Sequence, residues 1–206
     1  MYRFKVILAG DKNVGKSSLI SRFCDNSFDE HMKETIGVAF KRKKVIVIDR
    51  DRETTLGLNI WDFGGEEKYR KLFPSYAYGA NAALLLFDTT NEKSLHGLAN
   101  WVKIIEDNCT PNVVKLLIAT KIDLKEKREV STKKAKEYCN NYNWCKEIIK
   151  TSSKTGEYVE DTFLTLAKKL LKRNLQKCKD CGTFFSIKLK FCSFCGEKIK
   201  MDVSPI

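Results

Sequence analysis

"FKVILAGDKNVGKSSLI" occupies residues 4–20, and its reading decides the fold. The first part, "FKVILA", is an apolar, strand-like run. It is followed at residues 10–17 by G-x-x-x-x-G-K-S and then by a helix-like stretch. A strand, a glycine-bounded loop and a helix in direct succession make a phosphate-holding element. Its backbone N–H groups surround phosphate oxygens, Lys16 reaches the outer phosphates and the Ser17 hydroxyl is a ligand for Mg²⁺. Lys12 is the unusual member, a long cation where a small residue is commoner.

Outward from this loop, apolar runs alternate with amphipathic ones to about residue 174. The strand-like pieces are "YRFKVILA", "VAFKRKKVIVID", "LGLNIWD", "AALLLFD", "VVKLLIAT" and "EIIKTS". Helical patterns cover 16–24, 92–108, 131–141 and 159–174. The runs at 82–87 and 113–119 are continuously apolar, as expected of strands covered on both faces. The alternation predicts an α/β fold with a six-stranded, mostly parallel sheet and helices on both faces. "DRDRETT" (49–55) marks one antiparallel hairpin within it. In the last helix Phe163, Leu166, Ala167, Leu170 and Leu171 form one apolar stripe. Polar "KRNLQK" (172–177) reads as a junction. The expected domains are residues 1–174 and a small cysteine-rich unit at 178–200.

Four later motifs share the register of the loop: "TIGVAF" (35–40), "WDFGG" (61–65), "TKID" (120–123) and "TSSK" (151–154). Taken singly, Phe28 is an ordinary loop residue and Asp123 a helix cap; together with the loop they form a pattern. In order and spacing the motifs resemble those of Ras-superfamily small GTPases. "GDKNVGKSSL", "TIGVAF" and "YAYGANAALLLFDTTN" are most similar to the Rab branch, whereas "DFGG" departs from it. The resemblance covers about residues 2–174 and implies a P-loop GTPase domain that binds GTP or GDP with Mg²⁺.

Residue by residue, the resemblance implies that Lys16 and the amides of Asn13, Val14, Gly15, Lys16, Ser17 and Ser18 hold the phosphates. Ser17 and Thr35 would ligate Mg²⁺ directly and Asp62 through water, while the Gly65 amide would sense the γ-phosphate. Phe28 and the Lys121 stem would enclose the base, with Thr120, Ser152, Ser153 and Lys154 completing its pocket. Asp123 would choose guanine, because its carboxylate can accept from N1–H and the 2-amino group. Adenine offers neither donor, and a buried carboxylate left unpaired costs roughly 1–3 kcal/mol. Effector proteins would read residues 30–45 and 64–78, where Tyr69, Leu72, Phe73, Tyr76 and Tyr78 are candidate anchors. The family also implies an exchange factor and an activating protein.

Hydrolysis is the open question. Relatives place glutamine after the second glycine to orient water, and here the residue is Glu66. A carboxylate cannot donate to a phosphate oxygen, and it adds negative charge beside one. With Lys16, Thr35 and Gly65, Glu66 completes the candidate catalytic set. Either Lys12 and Glu66 both obstruct, giving slow turnover and a long-lived GTP state, or Lys12 offsets Glu66 and serves as an internal cation. Slow hydrolysis is the preferred expectation.

The eight cysteines divide unequally. Cys24, Cys109, Cys139 and Cys145 lack metal-like spacing and read as small apolar thiols. "CKDCGTFFSIKLKFCSFCG" (178–196) is C-x₂-C-x₁₀-C-x₂-C with glycine after each pair, the spacing of a zinc ribbon. Cys178, Cys181, Cys192 and Cys195 would bind Zn²⁺, with iron as the main rival and disulfides behind both. Phe184, Phe185, Phe191 and Phe194 are expected to fill its small core.

Net charge is +12, and residues 168–200 hold ten Lys/Arg against Asp180 and Glu197. No apolar run approaches the roughly 20 residues of a membrane span, so the expectation is a cytoplasmic monomer. The end "KIKMDVSPI" carries no prenylation motif, which leaves peripheral membrane contact without a lipid anchor. Two rival readings remain: a non-cycling GTP-bound interaction module, and a GTPase using the basic ribbon on nucleic acid. The second is less favoured.

Overall fold

The computed structural model describes residues 1–49, 52–65, 73–110, 113–141 and 147–198. Strands β1 (Tyr2–Ala9), β2 (Val38–Asp49), β3 (Arg52–Phe63), β4 (Ala82–Asp88), β5 (Val114–Thr120) and β6 (Ile148–Lys150) form one sheet. Their order is β2-β3-β1-β4-β5-β6. β2 runs antiparallel to β3, from Val38 opposite Phe63 to Asp49 opposite Arg52. The other neighbours are parallel, so the hairpin and the parallel remainder agree with the alternation in the sequence.

The helices are α1 (Lys16–Asp25), α2 (Phe73–Ala77), α3 (Glu92–His96), α4 (Leu98–Asn108), α5 (Thr132–Asn140) and α6 (Val159–Asn174). Alternate strand residues face opposite sides, which gives two cores. Val6, Leu8, Leu84 and Leu86 meet Leu19 and Phe23 of α1 and Phe163, Leu166 and Leu170 of α6. The Phe23 and Phe163 rings stack with centroids 3.6 Å apart. On the other face Ile7, Leu85 and Leu117 pack with Phe73, Leu98, Trp101 and Ala135. Complete burial of each such side chain is worth about 1.5–3 kcal/mol.

The helix expected over 92–108 is interrupted at Gly97, which separates α3 from α4. A Cβ on Gly97 would lie 2.2 Å from Asp11 Oδ2, so the break admits a carboxylate from the phosphate loop. A helical periodicity cannot report a visitor from another segment.

Leu175–Lys177, part of the expected junction, is a strand instead. This β7 pairs antiparallel with β8 (Phe184–Ser186). The sulfurs of Cys178, Cys181, Cys192 and Cys195 lie within 4.8 Å of one another. The unit's buried set is Cys178, Phe185 and Cys192. The expectation that four phenylalanines fill this core is corrected: Phe185 is buried, Phe184 is half-buried against the main core, and Phe191 and Phe194 are exposed. Four crowded sulfurs leave room for one ring. The Tyr2 hydroxyl donates to the Phe184 carbonyl, tying the ribbon to the N-terminal end of β1.

Among the described residues no helix is long and apolar enough to cross a membrane.

Candidate functional site

The C-terminal ends of β1, β3 and β5 converge on one cleft of about 630 Å³. β1 ends in the loop 10–15, and α1 starts at Lys16 with Gly15 before it in the left-handed region, φ 90°. The buried Lys16 ammonium donates to the carbonyls of Gly10 and Asp11, each at 2.8 Å. Its charge is thereby held at the floor of a loop whose amides and helix end favour anions.

Beside it sits an oxygen cluster. Ser17 Oγ and Thr35 Oγ1 are 2.6 Å apart, and Thr35 Oγ1 is 3.2 Å from Asp62 Oδ2. Ser17 donates to the same carboxylate oxygen. The other oxygen, Asp62 Oδ1, is buried with no hydrogen-bond partner among the described residues. Burial pushes the Asp62 carboxyl above its ordinary value, against the Ser17 hydrogen bond, the Lys16 charge and the Thr35 hydrogen bond. A buried, unsatisfied carboxylate oxygen beside two hydroxyls is a donor set for a hard divalent cation. The residues present therefore fit Mg²⁺.

Gly65 lies against the loop. A Cβ there would be 2.5 Å from Lys12 N and 2.6 Å from the Asp11 carbonyl carbon, both backbone atoms that cannot give way. The N–H of Gly64 donates to Gly37 O at 3.0 Å, so the segments carrying Thr35 and Gly65 are joined above the phosphate loop. Lys12 pairs with Glu34 at 2.8 Å, both half-exposed, a partner that neither expectation named. Glu66, Tyr69 and Leu72 lie outside the described residues.

At the other end of the cleft, Phe28, Lys121, Asp123, Ser153 and Lys154 line the wall. Lys121 is in the left-handed region, φ 57°, and its ammonium pairs with Asp88 Oδ2 at 2.6 Å. Asp88 is fixed in turn by the Thr90 amide and hydroxyl, at 2.8 and 2.7 Å. Asn13, Gly15 and Ser18 also line the cleft.

Three expected residues act from behind. Thr120 reaches the cleft, but its buried hydroxyl is 2.7 Å from Val14 O and 2.9 Å from Phe87 O. It ties the phosphate loop to β4. Val14 is buried in the core. Ser152, also buried, accepts from the Thr155 amide at 3.1 Å and so shapes the loop that presents Ser153 and Lys154.

Several positioning residues escaped the sequence reading. Arg22 of α1 donates to the carbonyls of Ser153 at 2.7 Å and Lys154 at 2.8 Å, fastening the base loop to the phosphate helix. Trp101 Nε1 donates to Asp11 Oδ1 at 2.9 Å. Asp88 carried a weak signal, as an acid ending a wholly apolar strand; Arg22 and Trp101 carried none, because their partners are remote in sequence. Of the candidate anchors, Phe73 is buried, Tyr76 half-buried and Tyr78 exposed. Tyr76 continues an aromatic row through Trp61 to Phe40, with centroid spacings of 5.6 and 5.0 Å. Cys109 is raised to about 11 by burial, consistent with an inert thiol.

The Ras family model matches residues 5–172. The chain is 43% identical over 172 residues to the Ras-related protein Rab-1 of Theileria parva, covering 82% of this chain and 74% of that protein.

Proposed function

This chain belongs to the Ras family as a Rab-like small GTPase, and from that premise we propose a Mg²⁺-dependent switch in membrane trafficking. In this reading its intrinsic hydrolysis is slow and its cysteine ribbon holds Zn²⁺. The observation that carries the switch is the meeting of Thr35 and Gly65 at one place on the phosphate loop. Thr35 reaches Ser17 through a 2.6 Å contact, and Gly65 approaches so closely that a methyl group would overlap Lys12 N. Both segments run from the paired β2–β3 hairpin onto the phosphate loop, and both are released from it when the group holding them there is lost.

The roles follow from placement. Lys16 and the loop amides bind the phosphates, while Asp11, held by Trp101, fixes the loop's path. Ser17, Thr35 and Asp62 would hold the cation, which supplies charge neutralisation at the outer phosphates. Phe28 and Lys121 enclose the base, and Asp123 selects guanine. The Lys12–Glu34 pair lies over the loop, on ground that an activating arginine would cross. Glu66 in place of glutamine removes a donor from the water-orienting position.

Effectors would dock on the row Phe40–Trp61–Tyr76 and the exposed Ile36 beside Thr35. For the ribbon, four clustered sulfurs with glycine after each pair support tetrahedral Zn²⁺. The working location is the cytoplasm, at membrane surfaces.

The test is the nucleotide carried by the purified chain, released by acid and separated by chromatography. GTP or GDP at one per chain, lost with chelator, is the expected result. An empty chain or bound adenine nucleotide overturns the proposal.

A further inference from the structure

The loop after β8 turns apolar side chains outward. Ile187, Leu189 and Phe191 are 50%, 45% and 54% exposed, and Phe194 in the following knuckle is 77% exposed. The backbone here is satisfied, not frayed: Leu189 N–H donates to Ser186 O at 3.0 Å, and Gln176 Nε2 donates to Leu189 O at 3.0 Å. A built turn that leaves four large apolar groups in water needs a partner. Lys188 and Lys190 alternate with them, Lys198 bridges back to Phe191, and all three lysines are exposed.

We propose that this tip inserts into an anionic lipid bilayer, with the apolar groups entering the acyl boundary and the lysines remaining among the headgroups. It deepens the ribbon reading above by naming the surface the ribbon meets. Three observations favour lipid. The four apolar groups are exposed on a turn and the knuckle after it, and a bilayer needs no matching groove. Two of the four apolar groups are aliphatic, which suits insertion and not base stacking. Every basic residue from 174 onward is lysine. Arginine is the residue enriched at protein interfaces and in base and phosphate recognition, whereas point-like, hydrated lysines suit a diffuse anionic surface.

The fold also orients the molecule. β1 begins at Tyr2, whose hydroxyl donates to the Phe184 carbonyl, and spans eight residues to the start of the phosphate loop. At about 3.3 Å per residue, the ribbon and the nucleotide cleft stand about 25 Å apart at opposite ends of the sheet. Insertion of the tip would leave the cleft and switch segments facing the cytosol.

The experiment is sedimentation of the full, metal-loaded chain with vesicles of phosphatidylserine and phosphatidylcholine, compared with phosphatidylcholine alone. Binding to the anionic vesicles that weakens with salt is expected. Leu189→Ser with Phe194→Ser should abolish it, and Lys188→Glu with Lys190→Glu should weaken it by at least fivefold per lysine, about the factor for one charge near such a surface. Both variant pairs are exposed, and zinc and nucleotide content on the same samples separates a failed ribbon from a failed lipid contact. No vesicle binding, binding indifferent to the Leu189 and Phe194 substitutions, or a preference for single-stranded RNA or an acidic protein that those substitutions abolish, each overturns the proposal.

Discussion

At the nucleotide end, Lys16, Asp62 and Thr120 are buried polar groups held by strand ends and helices anchored in two large cores. At the cysteine end the buried set is Cys178, Phe185 and Cys192, between two three-residue strands. The first end rests on two large apolar cores; the second has too little apolar area to stand alone. A metal would therefore play opposite parts at the two ends. In the cleft it would complete a site built by strand ends and helices, whereas in the ribbon it would be the fold's main support.

Removing zinc breaks this comparison most severely. Structural zinc in small Cys-rich units is worth about 10–16 kcal/mol. Cys192→Ser, or a zinc-selective chelator with Mg²⁺ kept in excess, should therefore abolish hydrogen-exchange protection over residues 175–198. The same sample should keep its guanine nucleotide and the protection of β1, β4 and β5. A ribbon that stays protected without metal would mean that packing against Tyr2 and the main core suffices, and the contrast would fail.

Gly65→Ala tests the other end. The new methyl would meet the backbone of residues 11–12, and overpacking of this kind costs about 1–3 kcal/mol. In the proposed switch the approach belongs to the triphosphate-bound arrangement, so that state should weaken while GDP affinity is unchanged. The readout is the ratio of the two affinities by fluorescent-nucleotide competition. An equal loss for both would show that Gly65 supports the fold generally and not the switch.

How legible these ends were differs in the same way. The phosphate loop could be read because its chemistry is compressed into eight consecutive residues, and the strands at 2–9, 38–49 and 82–88 matched their apolar runs. Asp62 and Thr35 were placed by their motif register. The break at Gly97 was hidden, since it admits Asp11, a residue remote from it in the chain. Thr120 was read as touching nucleotide, yet its hydroxyl is spent on two carbonyls. The ribbon's metal spacing was plain, but the outward turn of Phe191 and Phe194 was not, because apolarity alone does not say whether a small unit has room inside.

Asp62→Asn sharpens the contrast with a smaller and two-signed effect. Burial raises the Asp62 carboxyl above its unfolded value, so the folded, metal-free chain holds its proton more tightly than the unfolded chain. Stability of the stripped protein should therefore fall as pH rises through the window above the ordinary carboxylate value. The asparagine variant should lose that dependence and melt higher when stripped. With Mg²⁺ present it should bind nucleotide less well, with metal affinity down about 10–100-fold, the usual effect of losing an outer-shell ligand partner. Calorimetry with and without chelator separates the two signs.

Lys12→Ala should do least to stability and most to settle mechanism. The Lys12–Glu34 pair is half-exposed on both sides, and such pairs contribute about 0.2–1 kcal/mol. Thermal stability should therefore shift only slightly, and a larger change in hydrolysis cannot come from the fold. If Lys12 obstructs, single-turnover hydrolysis should hold or rise in the variant, and added activating protein should gain purchase on it. If Lys12 instead supplies positive charge to the phosphates, the rate should fall, and Glu34→Gln should raise it by removing a negative charge from beside the ammonium. Opposite signs for two substitutions in one ion pair distinguish a barrier from a catalytic cation.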